Sequence, residues 1–131
     1  MKVLLPFHLN KVGAGFPSPA TDCIEEDIDL NVHLIKNTPA TFVIRVQGKS
    51  MTSVGINDGD ILIVDKSLKP KNFSTIVANV HDELVIKSFI KENNSEFLSS
   101  GSKNFEDRVV INEDSNVSIW GVVTYVIHST Y

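Results

Sequence analysis

Short runs of hydrophobic residues, many of them alternating with polar ones, fill the chain after Pro39. Runs rich in β-branched residues, bounded by turn-forming residues, predict strands. We expect strands at residues 42–47, 61–64, 75–80, 83–90, 96–98, 108–111 and 117–127. Asn57-Asp58-Gly59-Asp60 is a strong turn signal, and His81-Asp82 fits a two-residue hairpin connection although it lacks glycine. Seven short strands with turns at intervals near ten residues favour a closed or folded-over antiparallel sheet.

A single short helix precedes the predicted sheet. Leu30, His33 and Leu34 have the three- and four-residue spacing of one helical face. Asp29 stands where it can cap the first turn, and Pro39 prevents continuation. The pattern predicts a helix at about residues 29–36 and a mostly β fold overall.

The N-terminal region differs from the rest in charge and in proline content. Residues 1–14 carry Lys2 and Lys11 and no acid, and we interpret them as a flexible cationic arm. Two prolines at positions 17 and 19 disfavour both a helix and a central strand there. Residues 15–28 are therefore predicted to be an extended, acidic connector, and residues 29–131 a β-rich domain.

Composition narrows the class of protein. The 131 residues are 42% hydrophobic and 21% charged, which is typical of one folded domain. A net charge of −4 argues against strong direct binding to DNA. One cysteine, no signal-peptide pattern and no long apolar run predict a cytoplasmic protein that is not bound to a membrane.

Metal and cofactor chemistry is not indicated. The four histidines (His8, His33, His81 and His128) and Cys23 lack the spacing of metal ligands. Cys23 lies among acidic residues that disfavour a thiolate, so it is a poor nucleophile. The glycines at positions 13 and 15 precede a proline-rich stretch and not a helix, which argues against a phosphate-binding loop. We therefore expect no metal and no cofactor.

Lys87 is an unusual residue in its predicted strand. Alternation puts Val85, Lys87 and Phe89 on one face, and the opposite face is also largely apolar. An ammonium group in such surroundings loses hydration, which favours the neutral amine, a proton acceptor able to activate a hydroxyl. The alternative is a lysine that extends from a sheet edge to solvent.

A hydroxyl that Lys87 could activate lies in Gly48-Lys49-Ser50-Met51, directly after a predicted strand. Gly48 allows a sharp turn that would expose Ser50. The backbone amides of Ser50 and Met51 would then be free to stabilise an oxyanion. The motif is common by itself, and the sequence pattern does not show whether Ser50 and Lys87 meet.

Three segments in this order resemble the self-cleaving domain shared by LexA-type repressors and UmuD-type mutagenesis proteins. They are Gly48-Lys49-Ser50-Met51, then 58–65 with Asp58-Gly59-Asp60 at its start, then Val85-Ile86-Lys87. The short arm, the Gly15-Phe16-Pro17-Ser18-Pro19 connector and Asp29-Leu30-Asn31 resemble the UmuD type in particular. The similarity runs from Gly15 over nearly the whole remaining chain.

The resemblance implies an autocatalytic serine peptidase with a LexA/UmuD-like folded-over antiparallel sheet. Ser50 would be the nucleophile, Lys87 the general base, and Ala14-Gly15 the bond that is cut. It also implies a homodimer that is triggered by a RecA filament on single-stranded DNA in the SOS response to DNA damage. The trimmed form would join a UmuC-type translesion DNA polymerase.

Two features depart from the family pattern. Ser88 stands where relatives usually carry a second basic residue, which leaves the serine-lysine pair intact. The 14-residue arm is too short for a helix-turn-helix, which counts against a complete LexA-type repressor. The residues between Ala14 and Ser50 are numerous enough for the arm to reach Ser50 of its own chain or of another chain. The length of this segment therefore does not distinguish cleavage within a chain from cleavage between chains.

Two alternative functions follow from the same residues. One is a non-catalytic β-rich accessory subunit that binds a polymerase, and the other is a serine-lysine peptidase that cuts other proteins. The Ile119-Trp120 and Val122-Val123 pairs fit dimer contacts and core positions equally well.

Overall fold

A computed structural model describes residues 4–8, 24–100 and 108–131 of the chain. The Ala14-Gly15 bond, Cys23 and most of the predicted arm and connector lie outside these described residues. The chain divides into two compact units, Met1–Lys36 and Asn37–Tyr131. Both contain antiparallel strands, so the prediction of a mostly β fold is confirmed.

The first unit contains a two-stranded sheet and a helix. Strand β1 (Leu5–His8) pairs antiparallel with β2 (Ile24–Ile28), a pairing that the sequence pattern did not predict. Helix α1 spans Leu30–Leu34. The Asp29 carboxylate accepts a 3.0 Å hydrogen bond from the Asn31 amide, which confirms the predicted N-cap.

The second unit is built on seven antiparallel strands of the described segments. They are β3 (Thr41–Arg45), β4 (Ile61–Asp65), β5 (Thr75–Val80), β6 (Glu83–Glu92), β7 (Ser95–Ser99), β8 (Val109–Ile111) and β9 (Val117–Ile127). Their order in the sheet is β3-β4-β9-β5-β6-β7-β8. The seven predicted strands are thus confirmed: 75–80 and 117–127 have the predicted bounds, and the ends of the others differ by at most two residues. Short 3-10 helices span Thr38–Ala40 and Thr52–Val54.

Two tight hairpins join β5 to β6 and β6 to β7. His81 and Asp82 have φ values of 51° and 67°, and Asn93 and Asn94 have 51° and 65°. Positive φ at both central residues is the conformation whose twist matches that of paired strands. The predicted His81-Asp82 hairpin is therefore confirmed.

Two hydrophobic clusters form the core. The first contains Val46, Met51, Ile56, Leu62, Val64 and Val77, and the second contains Ile76, Ala78, Phe89, Leu98 and Val122. Strand β6 contributes to both, because Val85 and Phe89 pack in the second cluster and Ile86 packs against the first. This division is what the alternation along the strand predicts.

Strand β9 lies between β4 and β5 and makes a close approach at Gly121. A Cβ atom at Gly121 would lie 2.5 Å from Cγ1 of Val64, whose side chain is fully buried. The missing side chain therefore lets the two strands pack closely at this point.

In the described ranges, two strands, β3 and β6, have backbone edges that are not fully hydrogen-bonded to a neighbouring strand. Strand β7 pairs with residues Ser88–Glu92 of β6, so among the residues that the structure describes, 83–87 pair only with β5. Within the described segments, β3 is paired only with β4. Both stretches leave backbone N–H and C=O groups able to bind another extended chain.

Candidate active site

Ser50 and Lys87 line the same cleft, which has a volume of about 570 Å³. Its walls come from β3 and the loop that follows it, from the first half of β6, and from single residues of β5 and β9. Strand β3, at one end of the sheet order, and strand β6, the fifth of the seven, thus line one space. This is the space in which the proposed nucleophile and base would have to meet.

The loop between β3 and β4 exposes Ser50. Gly48 has a φ of 102°, a left-handed conformation that favours glycine, and Ser50 follows it as an exposed residue. Met51 is only 2% exposed and packs in the first core cluster. The buried methionine therefore anchors the loop directly beside the exposed serine.

Hydrogen bonds fix the start of this loop to the turn at residues 57–60. Gly48 N–H donates to Asp58 Oδ1 at 2.7 Å. Val46 N–H donates to the Asp60 carbonyl at 2.8 Å, and Gly59 N–H donates back to the Val46 carbonyl at 2.9 Å. The predicted turn thus closes the loop that carries Ser50.

The Asp60 carboxylate is the polar centre of that turn. It is 3% exposed, accepts a 2.8 Å bond from the Asn57 amide, and lies 2.6 Å from Nδ1 of His128. The Asn57 amide, and then His128, hold the pKa of Asp60 below its ordinary value of 3.8. A carboxylate ion therefore persists here despite burial.

Lys87 is half-buried and lies opposite Ile76 of β5. Its Nζ donates a 2.7 Å hydrogen bond to Ser100 Oγ. Within the described segments, neither a hydrogen bond nor an ion pair joins Lys87 to Ser50. The structure thus brings the two residues to one cleft, with the amine bound to another hydroxyl.

The backbone amides of Ser50 and Met51 are free to act as donors. Among the described residues, neither amide makes a hydrogen bond, whereas the following Thr52 amide donates to the Lys49 carbonyl at 3.3 Å. Amides without an internal partner can stabilise a negatively charged oxygen that comes within their reach. The oxyanion role of these two amides stays a prediction.

An aromatic pair that the sequence pattern did not single out forms another part of the cleft. The rings of Phe42 and Trp120 lie 5.1 Å apart, and Lys66 Nζ stands 4.8 Å from the Trp120 ring centre. Trp120 also packs against the first cluster, as Val123 does, while Ile119 and Val122 belong with the second. These four residues therefore have core positions in the single chain.

No group of three metal-binding side chains occurs in the part of the chain that the structure describes. In that same part, no helix has both the length and the apolar character needed to cross a membrane.

Comparison with known proteins places these features in a family. The Peptidase S24-like family model matches residues 6–124. The protein ImpA of Salmonella typhimurium is 38% identical over 125 residues, covering 95% of this chain and 84% of the relative. The protein MucA of Escherichia coli is 36% identical over 121 residues, covering 92% and 82%. A LexA repressor of Clostridium novyi is 35% identical over 113 residues, covering 86% of this chain and 54% of the repressor.

The chain therefore belongs to the Peptidase S24-like family, which supports an autocatalytic serine peptidase at the level of the family. Within that family it is of the UmuD type, as the resemblance in its motifs predicted.

Proposed function

We propose that this protein cuts its own Ala14-Gly15 bond, with Ser50 as nucleophile and Lys87 as general base. The observation that carries the proposal is that an exposed serine and a half-buried lysine, remote in sequence, line one cleft. A serine hydroxyl is a weak nucleophile until a base accepts its proton. Lys87 is the basic side chain of β6 that lines this cleft.

The reaction begins when the Ser50 hydroxyl attacks the Ala14 carbonyl carbon. Neutral Lys87 Nζ accepts the hydroxyl proton, and the Ser50 and Met51 amides donate to the resulting oxyanion. Collapse of the tetrahedral intermediate breaks the bond to Gly15, whose nitrogen takes the proton from Lys87. Water then hydrolyses the Ala14 ester, which releases residues 1–14 and restores Ser50.

Lys87 needs a second partner for this reaction. Its Nζ donates to Ser100 Oγ, and the lone pair of the neutral amine can accept the Ser50 proton while that bond holds the amine in place. The flexible side chain of lysine lets the amine turn toward Ser50. The bond to Ser100 also fits the alternative function, a non-catalytic accessory subunit that binds a polymerase and in which Lys87 does not act on Ser50.

The bond to be cut is expected to enter as an extended strand. Residues 83–87 of β6 and strand β3 both line the cleft, and in the described part of the chain each has one edge without a paired strand. An added strand would bind through main-chain hydrogen bonds. Val12-Gly13-Ala14-Gly15 has little side-chain bulk and permits close approach of the two backbones.

We further propose that cleavage follows DNA damage and produces a homodimeric, cytoplasmic subunit of an error-prone polymerase system. Similarity to ImpA and MucA supports this role. A RecA filament on single-stranded DNA would stimulate the cut, and a UmuC-type translesion polymerase would bind the trimmed form. Equal binding of the polymerase to intact and trimmed chains would contradict the proposal that cleavage controls this binding.

Alkaline incubation of the purified full-length protein tests the chemistry. High pH favours the neutral amine, so the cutting rate should rise with pH even without a filament. Mass spectrometry should detect a fragment of residues 15–131. Ser50→Ala and Lys87→Ala should abolish it, whereas Ser95→Ala and Lys91→Ala, at exposed positions of the same sheet, should not.

The same experiment separates the alternatives. Absence of the fragment at every pH and with added filament would favour the non-catalytic subunit. Fragment formation in Ser50→Ala or Lys87→Ala would overturn the assigned roles.

A further inference from the structure

His128 connects the end of β9 to the loop that carries Ser50. Its Nδ1 lies 2.6 Å from Asp60 Oδ1, and the two residues are 68 positions apart. Half of the His128 side chain is exposed, whereas that of Asp60 is 2% exposed. The histidine thus covers a buried carboxylate from the solvent side.

Hydrogen bonds connect the turn that contains Asp60 to the loop that carries Ser50. The Asp60 carbonyl accepts the Val46 amide, and Asp58, in the same turn, accepts the Gly48 amide two residues before Ser50. The second carboxylate oxygen of Asp60 accepts the Asn57 amide. A carboxylate fixed by His128 therefore fixes the turn, and the turn fixes the start of the Ser50 loop.

We propose that His128 is a positioning residue for self-cleavage, holding Asp60 so that the loop presents Ser50 at a constant place in the cleft. This inference rests on the proposed serine-lysine chemistry, but His128 does not touch the reacting atoms. Misplacement of a nucleophile by about 1 Å can slow a reaction on the order of a hundredfold. A hydrogen bond that limits loop motion is therefore significant for the rate.

Two substitutions separate positioning from general stability. His128→Asn keeps an amide donor near the position of Nδ1, whereas His128→Leu keeps the bulk and removes the donor. Because His128 is half-exposed, leucine should leave the fold intact, which a urea titration can verify. We expect His128→Leu to cut itself about tenfold more slowly than wild type and His128→Asn to cut within about twofold of wild type.

A second measurement reports the position of Ser50 without requiring cleavage. A fluorophosphonate probe labels an activated serine, and mass spectrometry locates the label at Ser50. The labelling rate should fall in His128→Leu and recover in His128→Asn. Hydrogen exchange at the Gly48 amide should be faster in His128→Leu. The acceptor of this amide is Asp58, which lies in the same turn as Asp60 and would be less restrained without the bond to His128.

Each outcome has a separate meaning. Wild-type cleavage and exchange rates in His128→Leu would overturn the positioning role while the serine-lysine chemistry stands. Equal slowing in both variants would also overturn it, because the donor would then not matter. Cleavage that persists in Ser50→Ala would contradict the proposed function, and the exchange measurement would still decide the role of His128.

Discussion

Lys87 lines the cleft together with Ser50, and its Nζ donates a 2.7 Å hydrogen bond to Ser100 Oγ. Ser100 follows the last residue of β7, and the β6-β7 register brings it opposite Lys87. Since lysine loses much side-chain entropy when it is held, this contact restricts where the amine can move.

Removal of the Ser100 hydroxyl should slow self-cleavage. In Ser100→Ala the amine samples more rotamers, and we expect a rate about tenfold lower, the equivalent of one ordinary hydrogen bond. Quantification of the cleaved fragment over time at fixed alkaline pH measures this. Ser100→Thr should restore the rate, and Ser95→Ala on the same strand should match wild type. An unchanged rate in Ser100→Ala would contradict the idea that Ser100 orients the base.

Trp120 should report occupancy of the cleft. It is the only tryptophan in the sequence and lines the cleft beside Phe42. A peptide of residues 12–17 added to Ser50→Ala should exclude water from the ring and shift its emission to shorter wavelength in a saturable manner. A scrambled peptide of the same composition serves as the control. Binding detected by another method, with no change in emission, would place the peptide elsewhere.

Gly121 should tolerate no side chain. A methyl group there would lie 2.5 Å from Val64 Cγ1, so Gly121→Ala must push apart two central strands. Overpacking of this kind costs about 1–3 kcal/mol of unfolding free energy. Urea denaturation measures the loss, with Ser118→Ala, at an exposed position of the same strand, as the control. A loss below about 0.5 kcal/mol would contradict the inference that the contact with Val64 excludes a side chain at position 121.

Protonation of Asp60 should lower the free energy of unfolding at acidic pH. Its pKa is below 3.8 in the folded state because the Asn57 amide and His128 favour the carboxylate. The stabilisation is complete above the unfolded-state pKa and is lost as the pH falls through the folded-state pKa. The stability difference between wild type and Asp60→Asn should therefore be constant from about pH 5 to 6 and shrink below about pH 4. Urea titrations at each pH measure it, and a difference that grows in acid would contradict the assignment.

Much of the sheet could be predicted because its signals are local. The alternation of apolar and polar residues and the β-branched composition predicted all seven strands of the large sheet. The His81-Asp82 pair was sufficient to predict the hairpin between β5 and β6. The Asn93-Asn94 hairpin was missed because the apolar run stops at Ile90, whereas β6 continues through two exposed polar residues.

Nonlocal pairing explains most of what the sequence pattern did not predict. Strand β2 includes the acidic run Glu25-Glu26-Asp27, which has low strand propensity, and it forms by pairing with the distant β1. The contact between His128 and Asp60 joins residues 68 positions apart, and nothing near either residue indicates the other. Ser50 and Lys87 were associated through the family resemblance, since their shared cleft depends on the order of strands in the sheet.

The central place of β9 has a consequence for the timing of synthesis. This strand is made last among the seven, yet it lies between β4 and β5 and leads to the residue that holds the Ser50 loop. A nascent chain on the ribosome lacks that strand until residues 117–128 have emerged. On the proposed chemistry, the Ser50 loop would therefore lack this support until residues 117–128 have been made, and the N-terminal segment would not be cut before then.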